Sequence, residues 1–159
     1  MDILENIVFK KLNKNDKKLF ISLRLIFLMD CFDTINDTER NEIENNLKTY
    51  FDSHINKKKF IRIVGEYNGN IVSTVYLIIS VYPANPNLVN GKVGTLLNVY
   101  TFPKYRKKGI AKKFIEEIIK ETKLIGIDCM DLKATEKGHN LYIKLGFKKN
   151  KDKGMGLKI

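Results

Sequence analysis

Between Thr101 and Ala111 the chain reads Thr-Phe-Pro-Lys-Tyr-Arg-Lys-Lys-Gly-Ile-Ala, a stretch rich in the residue types that hold phosphate. An apolar β-like run, Thr95 to Tyr100, comes before it, and a strongly periodic helical pattern starts near Gly109. The first N–H groups of a helix have no intrahelical acceptor, and the helix dipole adds positive potential at the same point. Gly109 has no Cβ, so the backbone there can approach a phosphate closely and adopt dihedrals that other residues resist. Arg106, Lys107, Lys108 and Lys112 place side-chain charge around it. The expected ligand is a pyrophosphate. Taken alone, the short pattern also describes a solvated basic turn in front of a helix.

Farther along, Asn140-Leu141-Tyr142-Ile143-Lys144-Leu145-Gly146-Phe147 reads as a short helix closed by a glycine and followed by an aromatic strand start. Together the two segments resemble the GNAT superfamily of acetyl-CoA-dependent N-acetyltransferases. The first matches through Thr101, Pro103, Tyr105, Arg106, Gly109 and Ala111, and the second through Tyr142, Lys144, Gly146 and Phe147. The match covers residues 94 to 148, and the N-terminal half fits the family in its element order.

The resemblance implies transfer of an acetyl group from acetyl-CoA, as co-substrate, to a primary amine by direct attack in a ternary complex. It places the backbone of Val99, Tyr100 and Thr101 along the pantetheine of the cofactor, on a strand that carries a bulge and splays from its neighbour. It places Arg106, Lys107, Lys108, Gly109, Ile110, Ala111 and Lys112 around the pyrophosphate. Tyr142 would protonate the departing thiolate. Helical context alone would also allow Tyr142 to be an ordinary half-buried tyrosine. Thr135 stands where many relatives have an asparagine that touches the cofactor.

No carboxylate lies on the run Val93 to Tyr100, where several relatives keep a glutamate base. Glu66, His54 and His139 are the candidates elsewhere, and none is assigned. Asp30, Asp33, Asp37 and Glu39 cluster where the first two helices meet and would attract a cationic amine, although helix capping accounts for part of that cluster. Small amines, amino acids, peptide N-termini and aminoglycosides stay open as acceptors. A non-catalytic acyl-CoA-binding or regulatory module is the alternative reading.

The elements that must position these residues follow from periodicity. A first strand is expected over Ile3 to Leu12, then a helix from about Asp16 to Cys31 behind Asn13 or Asn15, and a second helix capped by Asp37 or Thr38. Phe60 to Tyr67 and Asn70 to Tyr82 form a hairpin across Asn68-Gly69. Pro83 to Lys92 is a loop, Val93 to Thr101 a strand, and the helix after Gly109 has a broad apolar face. A strand over Asp128 to Ala134, a helix over Gly138 to Leu145, and a terminal pair, Phe147 to Asn150 with Met155 to Ile159, complete the order. The expected fold is α/β: a mixed, mostly antiparallel central sheet with helices on both faces, the GNAT-like acyl-CoA N-acyltransferase fold.

Bulk properties narrow the function further. At 159 residues the chain is expected to form one N-acetyltransferase domain, 1–159. No run approaches a membrane span, and the N-terminus lacks signal-peptide features, so a cytoplasmic place is the default expectation. Cys31 and Cys129 have no second ligand beside them, so no metal site is expected and both are read as buried or partly buried free thiols. Net charge is +11 and uneven: residues 1–90 carry 12 Lys/Arg against 11 Asp/Glu, and residues 91–159 carry 17 against 7. A multiply charged nucleotide cofactor would be steered to such a half. No nucleic-acid-reading motif accompanies the charge, so no nucleic acid partner is expected. The strand expected over Met155 to Ile159 would pair across a homodimer or stay at an edge.

Overall fold

The computed structural model describes residues 3–32, 34–150 and 155–159. Five strands form one sheet in sequence order: β1 (Val8–Lys11), β2 (Phe60–Tyr67), β3 (Asn70–Val81), β4 (Lys92–Thr101) and β5 (Cys129–Leu132). The first four are antiparallel, and β4 and β5 run parallel. The β2–β3 hairpin closes on Asn68 and Gly69, both at positive φ (50° and 74°), as a two-residue turn of this sequence requires. The parallel β4–β5 pair needs a crossover, which is α3 (Ile110–Leu124).

Each face of the sheet carries its own core. On one side α1 (Lys17–Cys31) and α2 (Asp37–His54) bring Phe20, Leu23 and Phe51 onto Phe60, Val64 and Tyr76. The rings of Phe20 and Phe51 lie 5.1 Å apart, and Phe20 and Tyr76 5.2 Å. On the other side α3 sets Ile110, Phe114, Ile115 and Ile118 against Val75, Leu77 and Leu96. Alternation along the strands, with Val75 and Leu77 to one face and Tyr76 to the other, divides the side chains. A mixed, mostly antiparallel sheet with helices on both faces is the expected architecture and the observed one.

Several local expectations are corrected. The first strand is shorter, because Ile3 and Leu4 pack against the α3-side core without joining the ladder. Asn13 caps a 3-10 turn, Lys14–Asp16, and Asp16 closes the capping box, so α1 starts at Lys17. The cap of α2 is Asn36, which accepts from Glu39 N at 2.9 Å while the Glu39 carboxylate accepts from Asn36 N at 3.0 Å. The last helix, α4 (Glu136–Lys144), begins earlier than expected because Thr135 supplies its N-cap. The terminal strand pair is not formed by 147–150 and 155–159, where Met155, Leu157 and Ile159 are exposed. The glycine-containing turn between them lies outside the described residues. Cys31 and Cys129 are both exposed rather than buried.

Two contacts fix how closely the layers meet. Asp128, just before β5, accepts from Asn90 N and Lys92 N at 3.0 and 2.9 Å, which anchors the end of the 83–91 loop. Those hydrogen bonds hold the Asp128 carboxyl below its ordinary range. Its contribution to stability is therefore present at neutral pH and lost as pH falls through the lowered value. The α3–sheet spacing depends on Gly65, where a Cβ would stand 2.3 Å from Phe114 Cζ. Phe114 is 1% exposed and has nowhere to go. Gly65→Ala should therefore cost about 1–3 kcal/mol of stability by overpacking, read as a lower midpoint in thermal or urea unfolding. An unchanged midpoint would mean that the helix layer yields freely there.

Candidate active site

The site grows from one irregularity in β4. Thr74 of β3 pairs with Tyr100, but Tyr76, two residues on, pairs with Leu97. One extra residue is therefore accommodated in β4, and Asn98 takes it up at φ 52°. Asparagine is among the few non-glycine residues that tolerate this region. Asn98 is 2% exposed, and both polar ends of its side chain and its carbonyl are engaged. Its Nδ2 donates to Thr74 Oγ1 at 2.8 Å, its carbonyl accepts from Thr74 Oγ1 at 2.9 Å, and its Oδ1 accepts from Arg24 of α1 at 3.1 Å.

The bulge resets which side chain faces which layer. Leu96 belongs to the α3-side core and Leu97 to the α1–α2 side. Asn98 also points to the α1 side, so Val99 returns to the α3-side core and Tyr100 faces α1. Parallel pairing with β5 ends in the same place, at Leu96 and Leu132. From Leu97 to Thr101 the strand keeps β3 on one side, and its other edge has no strand partner among the described residues. Ser73 ties the far end, donating to Tyr100 O at 2.7 Å and lying 3.0 Å from Thr101 Oγ1.

The basic turn continues from this open edge. Pro103–Tyr105 forms a 3-10 turn, Lys107 sits at φ 61°, and Gly109 at φ 76° is the N-cap of α3. Among the described residues no side chain caps α3, so its leading N–H groups lack a side-chain acceptor. Arg106 turns away from this end. Its Nε donates to Thr101 O at 2.9 Å, its guanidinium pairs with Asp30 at 2.8 Å, and it lies 5.4 Å over the Tyr100 ring. Lys104 and Lys108 lie over the Tyr105 ring at 4.9 and 5.9 Å. Ile110 is buried in the α3-side core, Ala111 is partly buried, and Lys112 makes a long pair with Glu116 at 3.8 Å.

Because β4 and β5 are parallel, the basic turn after β4 and the start of α4 after β5 lie at the same end of the sheet. Thr135 Oγ1 accepts from Gly138 N at 3.3 Å, so its hydroxyl serves the α4 cap. Tyr142 packs against the core that also receives Val99, with its ring 5.8 Å from Phe147 in an edge-on arrangement. Burial pushes the Tyr142 phenol above its ordinary value, so it stays protonated at neutral pH. Tyr100 is also pushed up, chiefly by burial and then by Asp30.

On the Tyr100 side a groove of about 780 Å³ runs between α1 and α2. Ile21, Leu25, Ile26 and Met29 line its α1 wall, and Arg40, Glu44 and Lys48 its α2 wall. Asp30 and Tyr100 stand at one end and Lys18 at the other. Of the expected acidic cluster, Asp30 lines the groove, Asp37 and Glu39 serve the start of α2, and Asp33 lies outside the described residues. Among the described residues no group of three or more His, Cys, Asp or Glu could hold a metal ion, and no helix is long and apolar enough to cross a membrane.

Comparison with known proteins agrees with the fold. The model of the acetyltransferase (GNAT) domain family matches residues 58–149. The chain belongs to that family, and it is an N-acetyltransferase-type acyltransferase. Its fold matches a predicted acetyltransferase of Clostridium acetobutylicum, crystallised with acetyl-CoA, at TM-score 0.85 and 25% identity over 96% of each chain. A GCN5-related N-acetyltransferase of Ralstonia eutropha superposes at TM-score 0.82, with 20% identity over 95% of this chain and 98% of that one. The glucosamine-6-phosphate N-acetyltransferase of Arabidopsis thaliana gives 0.68, with 23% identity over 96% and 97%. No curated protein matches the chain.

Sequence reasoning missed Ser73, Thr74, Arg24 and Asn98, which build the bulge. The available signal was a lone asparagine inside the apolar run from Val93 to Tyr100. Asn98→Ala removes two side-chain hydrogen bonds and places a residue with a Cβ and no polar group at φ 52°. Leaving buried Thr74 and partly buried Arg24 without this partner should cost on the order of 1–3 kcal/mol, with a raised KM for acetyl-CoA. Asn98→Gly, which restores the dihedral freedom alone, should recover part of the stability. Equal stability of all three proteins would show that the bulge does not depend on Asn98.

Proposed function

We propose that the chain acts as a single domain that transfers an acetyl group from acetyl-CoA to a primary amine by direct attack within a ternary complex. The observation that carries this reading is the juxtaposition, at one end of the sheet, of the unpaired β4 edge beyond Leu96 and the uncapped start of α3. An extended pantetheine needs a strand edge with free backbone groups, and a pyrophosphate needs converging N–H donors with positive charge. Val99, Tyr100 and Thr101 offer the first. The backbone from Lys107 to Ala111 offers the second, with Lys107, Lys108 and Lys112 at its rim. Arg106 holds the strand end through Thr101 O and keeps Asp30 neutralised, a positioning role rather than direct phosphate contact.

The thioester brings an already activated acyl group, so no enzyme nucleophile is required and the exposed Cys31 and Cys129 stay outside the chemistry. The neutral amine attacks the carbonyl carbon, the C–S bond breaks, and the sulfur leaves with the electron pair. Tyr142 then supplies the proton to that sulfur, and the amine releases its surplus proton to solvent. A backbone N–H of the β4 edge would polarise the carbonyl. Holding both reactants in line supplies much of the rate. Thr135 supports the site by fixing where α4 begins and hence where Tyr142 projects.

Tyr142→Phe should lower kcat on the order of 10²-fold or more, with little change in acetyl-CoA affinity. A phenol with a raised pKa keeps its proton until the pH passes above its ordinary value of 10.0. The ratio of wild-type to Tyr142→Phe rate should therefore stay flat from neutral pH up to that point. An unchanged kcat would remove Tyr142 from the acid role. Gly109→Glu puts bulk and negative charge at the anion-binding end and should abolish acetyl-CoA binding by calorimetry. Retained affinity would contradict the location of the phosphates.

A further inference from the structure

The groove between α1 and α2 has a charge pattern opposite to the one its neighbouring acidic residues suggest. Its two carboxylates are already paired: Asp30 with Arg106 at 2.8 Å and Glu44 with Lys48 at 3.0 Å. Among the described residues no ion pair or side-chain hydrogen bond engages Lys18 or the Arg40 guanidinium, and both residues are exposed. The free charges facing the groove are therefore positive. Between them the α1 wall is apolar, with Ile26 and Met29 37% and 47% exposed.

The length of the groove is also informative. α1 and α2 are antiparallel, since Lys17 at the start of α1 pairs with Asp52 near the end of α2. Arg40 consequently lies toward the Asp30–Tyr100 end and Lys18 at the far end. Lys18 and Asp30 are twelve positions apart on one helix, about 18 Å at ~1.5 Å per residue. An extended peptide covers that distance in about five residues. The groove's volume, about 780 Å³, suits a ligand of that size.

We propose that the acceptor is a peptide N-terminus whose leading residues are apolar and whose next few residues carry carboxylates. This rests on the acetyltransferase reading above and adds the substrate class. The α-amine enters at Tyr100, beside the β4 edge. The first side chains lie along Met29, Ile26 and Leu25 with Arg40 beside them, and the carboxylates that follow meet Lys18 at the far end. Polycationic amines are disfavoured, because the carboxylates among the groove's described residues are paired with Arg106 and Lys48.

The test uses calorimetry on the whole protein saturated with CoA, titrated with the pentapeptides Leu-Leu-Ala-Glu-Glu and Leu-Leu-Ala-Lys-Lys and with spermidine. Attraction of the glutamates to exposed Lys18, against repulsion of the lysines, should make the acidic peptide bind about fivefold tighter than the basic one. The Lys18→Glu/Arg40→Glu double variant, altered only at exposed positions, should erase or reverse that preference while binding CoA as before. Equal affinity for the two peptides, tighter binding of the lysine peptide or spermidine, or binding of none of them by the CoA-saturated protein would overturn the proposal. A preference that survives in the double variant would also overturn it. Failure to bind CoA at all would instead contradict the acetyltransferase site, so the two failures are distinguishable.

Discussion

Everything at the candidate site depends on one extra residue in β4. Side chains alternate along a strand with a period of two, so inserting a single residue exchanges the faces of all that follow. Without the bulge at Asn98, Tyr100 would point into the α3-side core and Val99 toward α1. With it, Tyr100 reaches the α1–α2 groove and Val99 packs against the same core as Tyr142. Parallel pairing to β5 stops just before it, at Leu96. The irregular backbone is held by hydrogen bonds from both neighbouring layers, Thr74 in β3 and Arg24 in α1. Such a dihedral persists because its surroundings over-determine it.

The electrostatics follow the same division. The half of the chain that builds β4, the basic turn and α3 holds 17 Lys/Arg against 7 Asp/Glu, a charge excess that would steer a polyanionic co-substrate to the proposed site. Arg106 links this region to the groove. It bridges the β4 terminus and Asp30 of α1, so the residue most conspicuous in the basic motif also sets the charge at one end of the α1–α2 groove. Half-buried Tyr142 adds a protonated phenol on α4. A positive cradle, an open strand edge and a neutral acid are the three components that thioester aminolysis needs.

What could be read in the sequence was what depends on local pattern. Asn68-Gly69 marked its hairpin because that turn demands positive φ, and the α3 stripe was visible because its apolar residues recur at helical spacing. The basic turn was legible for the same reason, since its glycine and lysines act through neighbours in sequence. Features set by distant partners were not legible. Asn98 joins β3 and α1 across 24 and 74 positions, and the tie between Arg106 and Asp30 spans 76. Capping by side chains decided two helix starts: Asn36 caps α2 in place of Asp37 or Thr38, and Thr135 caps an α4 that begins at Glu136 rather than near Gly138. The exposure of both cysteines reflects how α1 and β5 are oriented in the fold, which composition does not encode.

Backbone amide shifts of ¹⁵N-labelled protein, followed through a titration with CoA, test the central claim most directly. The account predicts that the largest changes fall on Lys107 to Ala111 and on Val99 to Thr101, with β1 and the β2–β3 hairpin turn unmoved. Binding that leaves the amides of the basic turn and of the β4 edge unperturbed would contradict it.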